Sequence, residues 1–191
     1  MNFPKTPGQC RYMLALRSNK PIVIGTGPAG SGKTMLACQI AVELISKYPR
    51  SGVVLTRPIV PADEDIGYLP GDMESKMEPW TKPMYDIFEK GLTHNQMDRC
   101  ICIEPLGYMR GRTFNHTLII ADEMQNSTPN QMKMLLTRVG EGTKLVVTGD
   151  LEQSDLGPEN GLADLIYKMQ CLDLDYMKHV EMEDDDIVRH P

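Results

Sequence analysis

The sequence contains no apolar run approaching the roughly 20 residues that a membrane-spanning helix needs. Its first residues, Met1-Asn2-Phe3-Pro4-Lys5, lack both the charged and the apolar region of a secretory signal. The expectation is a cytoplasmic protein with no membrane partner. A disulfide framework is missing as well. The five cysteines (Cys10, Cys38, Cys100, Cys102, Cys171) are an odd set without a C-x-x-C pair, and they read as reduced thiols and not as bridges or zinc ligands. The four histidines are scattered without metal-binding spacing. Basic excess is absent too. The net charge is −6, so the chain lacks the footprint of a dedicated nucleic-acid binder, although a local basic groove remains compatible with that total. Most of the acidity sits in one cluster at Glu181, Glu183, Asp184, Asp185 and Asp186, which reads as a solvated face. No internal repeat, low-complexity block or linker interrupts the 191 residues, a length that suits one domain spanning 1–191 with a full core.

What the sequence does contain is Gly27-Pro28-Ala29-Gly30-Ser31-Gly32-Lys33-Thr34, a match to G-x-x-x-x-G-K-[ST]. The apolar run Ile22-Val23-Ile24 leads into it and a helical pattern leads out. Glycines let the backbone curl so that successive N–H groups face one cavity. The new helix adds the positive end of its dipole, which favours a triphosphate. Lys33 is then the residue for the outer phosphates and Thr34 the hydroxyl for Mg²⁺. A second chemical centre is Leu118-Ile119-Ile120-Ala121-Asp122-Glu123. An apolar strand that runs into two carboxylates places them at its C-terminal edge, where parallel sheets bind ligands. Asp122 is expected to hold Mg²⁺ through water or Thr34, and Glu123 to orient or deprotonate an attacking water. A third strand, Leu145-Val146-Val147-Thr148-Gly149-Asp150, ends in a polar tip, from which Thr148, Asp150 and Gln153 can sense the outer phosphate by hydrogen bonds.

The remaining pattern supplies the frame. A helix is expected after Pro7, capped by Thr6, and Gln9 on it offers the donor and acceptor that adenine recognition uses, or is a surface amide. Strands are expected at 22–26, 53–56, 101–103 and 174–182, and helices from the loop to Lys47, after Pro83, over 130–139 ahead of Gly140 and Gly142, and around Leu162 to Met169. Residues 57–80 break any regular pattern with four prolines and read as a functional loop or a plain insertion. Arg110 and Arg112 suit phosphate or simple solvation. Alternating strands and helices make the fold class α/β, a parallel sheet with helices on both faces.

The full set of motifs resembles the PhoH-like proteins, a P-loop ATPase family of bacteria and phages whose core is similar to the first RecA-like domain of superfamily-one helicases. The resemblance rests on Thr6-x-x-Gln9, the Gly27–Thr34 loop, Thr56-Arg57-Pro58, Gly67-Tyr68-Leu69-Pro70-Gly71-Asp72, Tyr108 to Thr113, Asp122-Glu123-Met124-Gln125-Asn126, Thr148-Gly149-Asp150-x-x-Gln153-x-Asp155 and Asp186 to Pro191, in the family's order along nearly the whole chain. It implies Mg²⁺-dependent ATP hydrolysis, with Gln9 on adenine and with Gln125 and Gln153 reporting on the γ-phosphate. If a phage encodes the chain, the cytoplasm is the host's. Some relatives carry a PIN nuclease domain and act on RNA. A chain of this length has no room for that domain, so nuclease activity is not expected. Work on single-stranded RNA or DNA would need neighbouring copies in a homo-oligomeric ring, for example a hexamer. An adjacent copy would then lend an arginine, with Arg138 and Arg189 as candidates and Arg110 and Arg112 in reserve. Tyr68, Trp80, Tyr85 and Tyr108 are aromatics that either stack on bases or fill the core. Two alternatives stay open from the sequence: a nucleotide-dependent switch with little hydrolysis, and a small-molecule kinase.

Overall fold

A computed structural model describes residues 4–58 and 73–188. The elements in chain order are α1 (Pro7–Arg17), β1 (Ile22–Thr26), α2 (Lys33–Lys47), β2 (Gly52–Thr56), α3 (Met73–Phe88), α4 (His94–Cys100), β3 (Ile101–Ile103), β4 (Thr117–Ala121), α5 (Pro129–Leu136), β5 (Lys144–Gly149), α6 (Gly161–Cys171) and β6 (Met177–Glu181). The strands form one six-stranded sheet in the order β3-β2-β4-β5-β1-β6, with every pair parallel.

The near-continuous apolar runs of the central strands follow from burial on both faces. Because neighbouring side chains on a strand point to opposite faces, Val23, Val53, Leu55, Leu118, Ile120 and Val146 join a core with α1 to α4. Ile22, Ile24, Val54, Ile119, Leu145 and Val147 join the other, closed by Met132, Leu135, Leu162 and Ile166 of α5 and α6. Each such side chain contributes about 1.5–3 kcal/mol when fully buried, so the sheet anchors both layers.

Most expected elements appear where the pattern puts them, and two do not. The helix expected to follow Pro83 begins at Met73, ten residues before that proline, and Pro79 and Pro83 lie inside it. Met77, Thr81, Met84 and Phe88 form a buried stripe at helical spacing, while both prolines lie on the exposed face. The stripe gains burial, and the carbonyls that the prolines leave unpaired can turn to water. The helix expected over 130–139 stops at Leu136. Val139 instead forms a parallel bridge with Phe114, and the Gly140 N–H donates to the Phe114 carbonyl at 2.8 Å. Pairing there removes the last turn from the helix. Two stretches singled out in the sequence, Gly67–Asp72 and Arg189–Pro191, lie outside the described residues.

Candidate nucleotide site

The Gly27–Thr34 segment connects β1 to α2 at the C-terminal edge of the sheet. Gly27, Gly30 and Gly32 have φ of +142°, +84° and +85°, values that side-chain-bearing residues rarely adopt. Gly32 is the residue before the first helical turn. Lys33 folds back over the loop, and its Nζ donates to the carbonyls of Gly27 at 2.6 Å and Pro28 at 2.8 Å and to Ser31 Oγ at 3.3 Å. Burial lowers the Lys33 pKa from its ordinary value, against the pull of Asp150, Glu123 and Asp122.

Asp122 follows β4 and is 4% exposed. Its Oδ1 accepts from Thr34 Oγ1 at 2.8 Å and from Thr148 Oγ1 at 2.6 Å, and its Oδ2 accepts from the Arg57 guanidinium at 2.8 Å. Register explains the meeting. Thr56 pairs with Ala121 across β2 and β4, and Ala121 pairs with Val147 across β4 and β5, so residues just past each strand end converge. Thr34 arrives on the first turn of α2, whose Leu36, Ala37, Ala41 and Ile45 are buried beside the sheet. A hydroxyl and a carboxylate at this separation are hard oxygen donors of the kind magnesium prefers.

Glu123 has φ of +55°, an uncommon conformation for this residue type. The bend turns the chain out of the strand direction. Gln125, fully buried, donates from Nε2 to Glu123 Oε2 at 2.5 Å and accepts at Oε1 from the Asp150 N–H at 3.1 Å. Ser154 Oγ donates to the Gln125 carbonyl at 2.7 Å, and the Asp155 N–H donates to Asn126 Oδ1 at 3.0 Å. The turn after β5 is thereby laced to the turn after β4. A cavity of about 250 Å³ opens beside the loop, bordered by Thr26, Gly27, Asp150, Glu152, Glu181 and Glu183. A second cavity, about 510 Å³, lies elsewhere, between α1 and β6.

The described ends of the chain close the back of the loop. Thr6 caps α1 by accepting from the Gln9 N–H at 3.2 Å. The Gln9 side chain is fully buried, donates to the Ser31 carbonyl at 3.0 Å and accepts from the Lys5 N–H at 2.8 Å. Asp186 Oδ1 accepts from Thr6 Oγ1 at 2.5 Å and from the Gly8 N–H at 3.0 Å. The Val188 N–H donates to the Gly30 carbonyl at 3.2 Å.

A family model described as PhoH-like protein matches residues 3–191. The chain belongs to the PhoH-like protein family. A PhoH-like protein of Bacillus subtilis (strain 168) is 44% identical over 194 residues, which cover 98% of this chain and 60% of that protein. One of Mycobacterium tuberculosis (strain ATCC 25618 / H37Rv) is 43% identical, with 98% and 54% covered. Protein PhoH of Escherichia coli (strain K12) is 39% identical over 175 residues, with 87% and 49% covered. The chain thus spans about half to three-fifths of the length of these relatives. Among solved structures, the large terminase of a thermophilic bacteriophage superimposes with a TM-score of 0.66 at 12% identity, covering 99% of this chain and 48% of the terminase. The Hef helicase domain of Pyrococcus furiosus gives 0.52 at 14% identity, covering 96% and 39%. At such identities the likeness is one of fold, a RecA-like P-loop domain with a parallel sheet.

The PhoH-like loop, Thr34, Asp122, Glu123, Gln125, Asp150 and Gln9 therefore gather at one edge of the sheet. Gln153 lies exposed in the turn after Asp150. Arg138 does not join them. Its carbonyl accepts from the Phe114 N–H three residues ahead of β4, at the opposite edge, and its guanidinium donates to the Met109 carbonyl at 3.2 Å and to Thr137 Oγ1 at 3.0 Å. Arg112 pairs with Glu104 and covers the Phe114 ring at 4.7 Å, and Arg110 is exposed. Arg189 lies outside the described residues. Tyr108 is exposed, Trp80 and Tyr85 are half-buried, and Tyr68 is outside the described residues. Sequence reasoning gave no role to Arg57 and did not foresee the Asp186–Thr6 contact. The signal for Arg57 was a cation directly after a buried strand, next to the strand that ends in Asp122.

Proposed function

We propose that the chain is an ATP-hydrolysing P-loop enzyme that acts on single-stranded nucleic acid, RNA foremost, as a homo-oligomer. The observation that carries this reading is the meeting of Thr34 and Asp122 at 2.8 Å beside the phosphate loop, with Glu123 next in sequence. Family membership supports the same activity. In this reading the loop binds the phosphates and Lys33 leaves its carbonyl partners for the outer ones. Gln9, buried with its amide held by Ser31 and Lys5, exchanges one of these partners for adenine when nucleotide binds. Thr34 and Asp122 fit Mg²⁺, which when bound would neutralise phosphate charge. Glu123, aimed by its backbone bend and by Gln125, takes the proton of the attacking water. Gln125 and Gln153 respond to the γ-phosphate.

In this reading Arg138, which lies away from the loop of its own chain, serves a neighbouring copy. A side chain at the far edge of the sheet reaches a nucleotide only in a neighbouring copy. An arginine supplied in this way contributes about 10³–10⁵ in rate in other P-loop enzymes, so an isolated chain would be a slow hydrolase that behaves as a nucleotide switch.

The test is ATP turnover by the full chain with Mg²⁺ or with a chelator, in the presence and absence of single-stranded RNA, alongside its size in solution with nucleotide. Mg²⁺-dependent phosphate release stimulated by RNA is expected. A folded protein with no turnover under any of these conditions rejects the hydrolase. Phosphoryl transfer to a small acceptor would support a kinase instead.

A further inference from the structure

Arg57 directly follows β2 in the Thr56-Arg57-Pro58 run, which the proposed function leaves without a role. It touches two things. The guanidinium donates to Asp122 Oδ2 at 2.8 Å, and its central carbon lies 4.8 Å from the centre of the Trp80 ring. The first contact is fixed by the sheet, since the Asp122 N–H donates to the Thr56 carbonyl at 2.9 Å and holds the two strand ends side by side. The second comes from α3, which shares the core on that face with α2, the helix that begins at Lys33. One planar cation thus bridges the carboxylate of the nucleotide site and the only tryptophan of the chain.

The two contacts are not independent once charge is considered. An ionised carboxylate offers about four acceptor positions. Thr34 and Thr148 occupy Oδ1 and Arg57 occupies Oδ2. A divalent cation that engages Asp122 draws on the same negative charge that holds Arg57 and repels the guanidinium. The other support of Arg57 is the face of the indole, which attracts a cation through the ring quadrupole. Weakening one contact shifts the side chain onto the other. Lysine would not substitute here, because the flat guanidinium both forks toward a carboxylate and stacks on a ring.

We propose that Arg57 is a positioning residue that couples the Thr34–Asp122 site to α3, moving from Asp122 toward Trp80 when a Mg²⁺–nucleotide engages Asp122. This inference rests on the nucleotide site proposed above. It adds a route by which occupancy of that site reaches α3.

Emission from selectively excited indole reads Trp80 alone. The full chain is titrated with a non-hydrolysable ATP analogue, with and without Mg²⁺, while calorimetry on the same samples measures binding. The parent should show a saturable change in emission that depends on Mg²⁺. Arg57→Ala should still bind the analogue by calorimetry but lose more than about half of the emission change, because the indole no longer carries the cation. Arg57→Lys, which keeps the charge and loses the planar stack, should lose a similar share, and it decides the matter if circular dichroism shows Arg57→Ala unfolded. A full parental emission change in the decisive variant overturns the coupling. So does a parent whose emission stays flat while calorimetry records Mg²⁺-dependent binding. A parent that binds no analogue overturns the proposed function itself, and the inference with it.

Discussion

Gln125 donates a 2.5 Å hydrogen bond to the carboxylate of Glu123. The same carboxamide accepts from the Asp150 backbone, so the direction of Glu123 depends on β5 as well as on its own strand. The role proposed for Glu123 needs that kind of fixed aim, because misplacement of a catalytic group by a small distance is costly.

Glu123→Gln should therefore keep nucleotide binding and slow hydrolysis by about 10² or more, the scale for removing one polar group from a catalytic site. Gln125→Ala should also slow turnover, with binding retained, by releasing Glu123. Phosphate release and analogue binding measured on the same preparations separate the two steps. A Glu123→Gln variant as fast as the parent would remove this residue from the chemistry.

Lys33→Ala should lose binding and turnover together, because it removes the only buried ammonium inside the loop among the described residues. Arg138→Ala should bind nucleotide and fail in hydrolysis if this arginine serves a neighbouring copy. Mixing the two inactive variants should then restore turnover, since a mixed assembly contains junctions in which an intact loop faces an intact arginine. A mixture that stays inactive moves the role to Arg189, for which the same mixing experiment applies.

Gly149→Ala should be destabilised by about 1–3 kcal/mol, the range for forcing extra volume into packed surroundings. A Cβ at this position would lie 2.5 Å from Leu162 Cδ2 and 2.6 Å from Gln125 Oε1. Urea denaturation reads the stability, and the same change should disturb Glu123 through Gln125. An unshifted urea midpoint would show that the turn after β5 yields easily.

Asp186 predicts a pH dependence. Burial alone would raise its pKa, but hydrogen bonds from Thr6, Glu183 and Gly8, with the charge of Arg11, bring it below the ordinary value. The folded-state pKa is thus lower than the unfolded one. The stabilisation is present above the unfolded value of about 3.9 and is lost as the pH falls through the folded value. Asp186→Asn should flatten the fall in urea midpoint across that acidic window. A variant as acid-sensitive as the parent would place the effect on other carboxylates.

The parts of this fold that sequence reveals are those governed by local rules. The loop from Gly27 to Thr34, the apolar run into Asp122 and the Thr6 cap each need only neighbouring residues to be recognised. The start of α3 was hidden because Pro79 and Pro83 read as breaks, and only the buried stripe of Met77, Thr81, Met84 and Phe88 outweighs them. The end of α5 was hidden because the partner of Val139 is Phe114, which lies 25 positions away and on no regular element. Arg57 was visible as a residue but not as a bridge, since both of its partners come from distant segments. Contacts between residues remote in sequence carry no local signature.

β1 sits between β5 and β6, pairing Ile22 with Leu145 on one side and with Met177 on the other. Ribosomes add about 5–20 residues per second, so β1 waits roughly 6–25 s for its first sheet neighbour to be made. Until then the strand that leads into the loop has no ladder to join, and its apolar faces are open to solvent or to a chaperone. The loop is translated early, and the two strands that flank its own strand are made late.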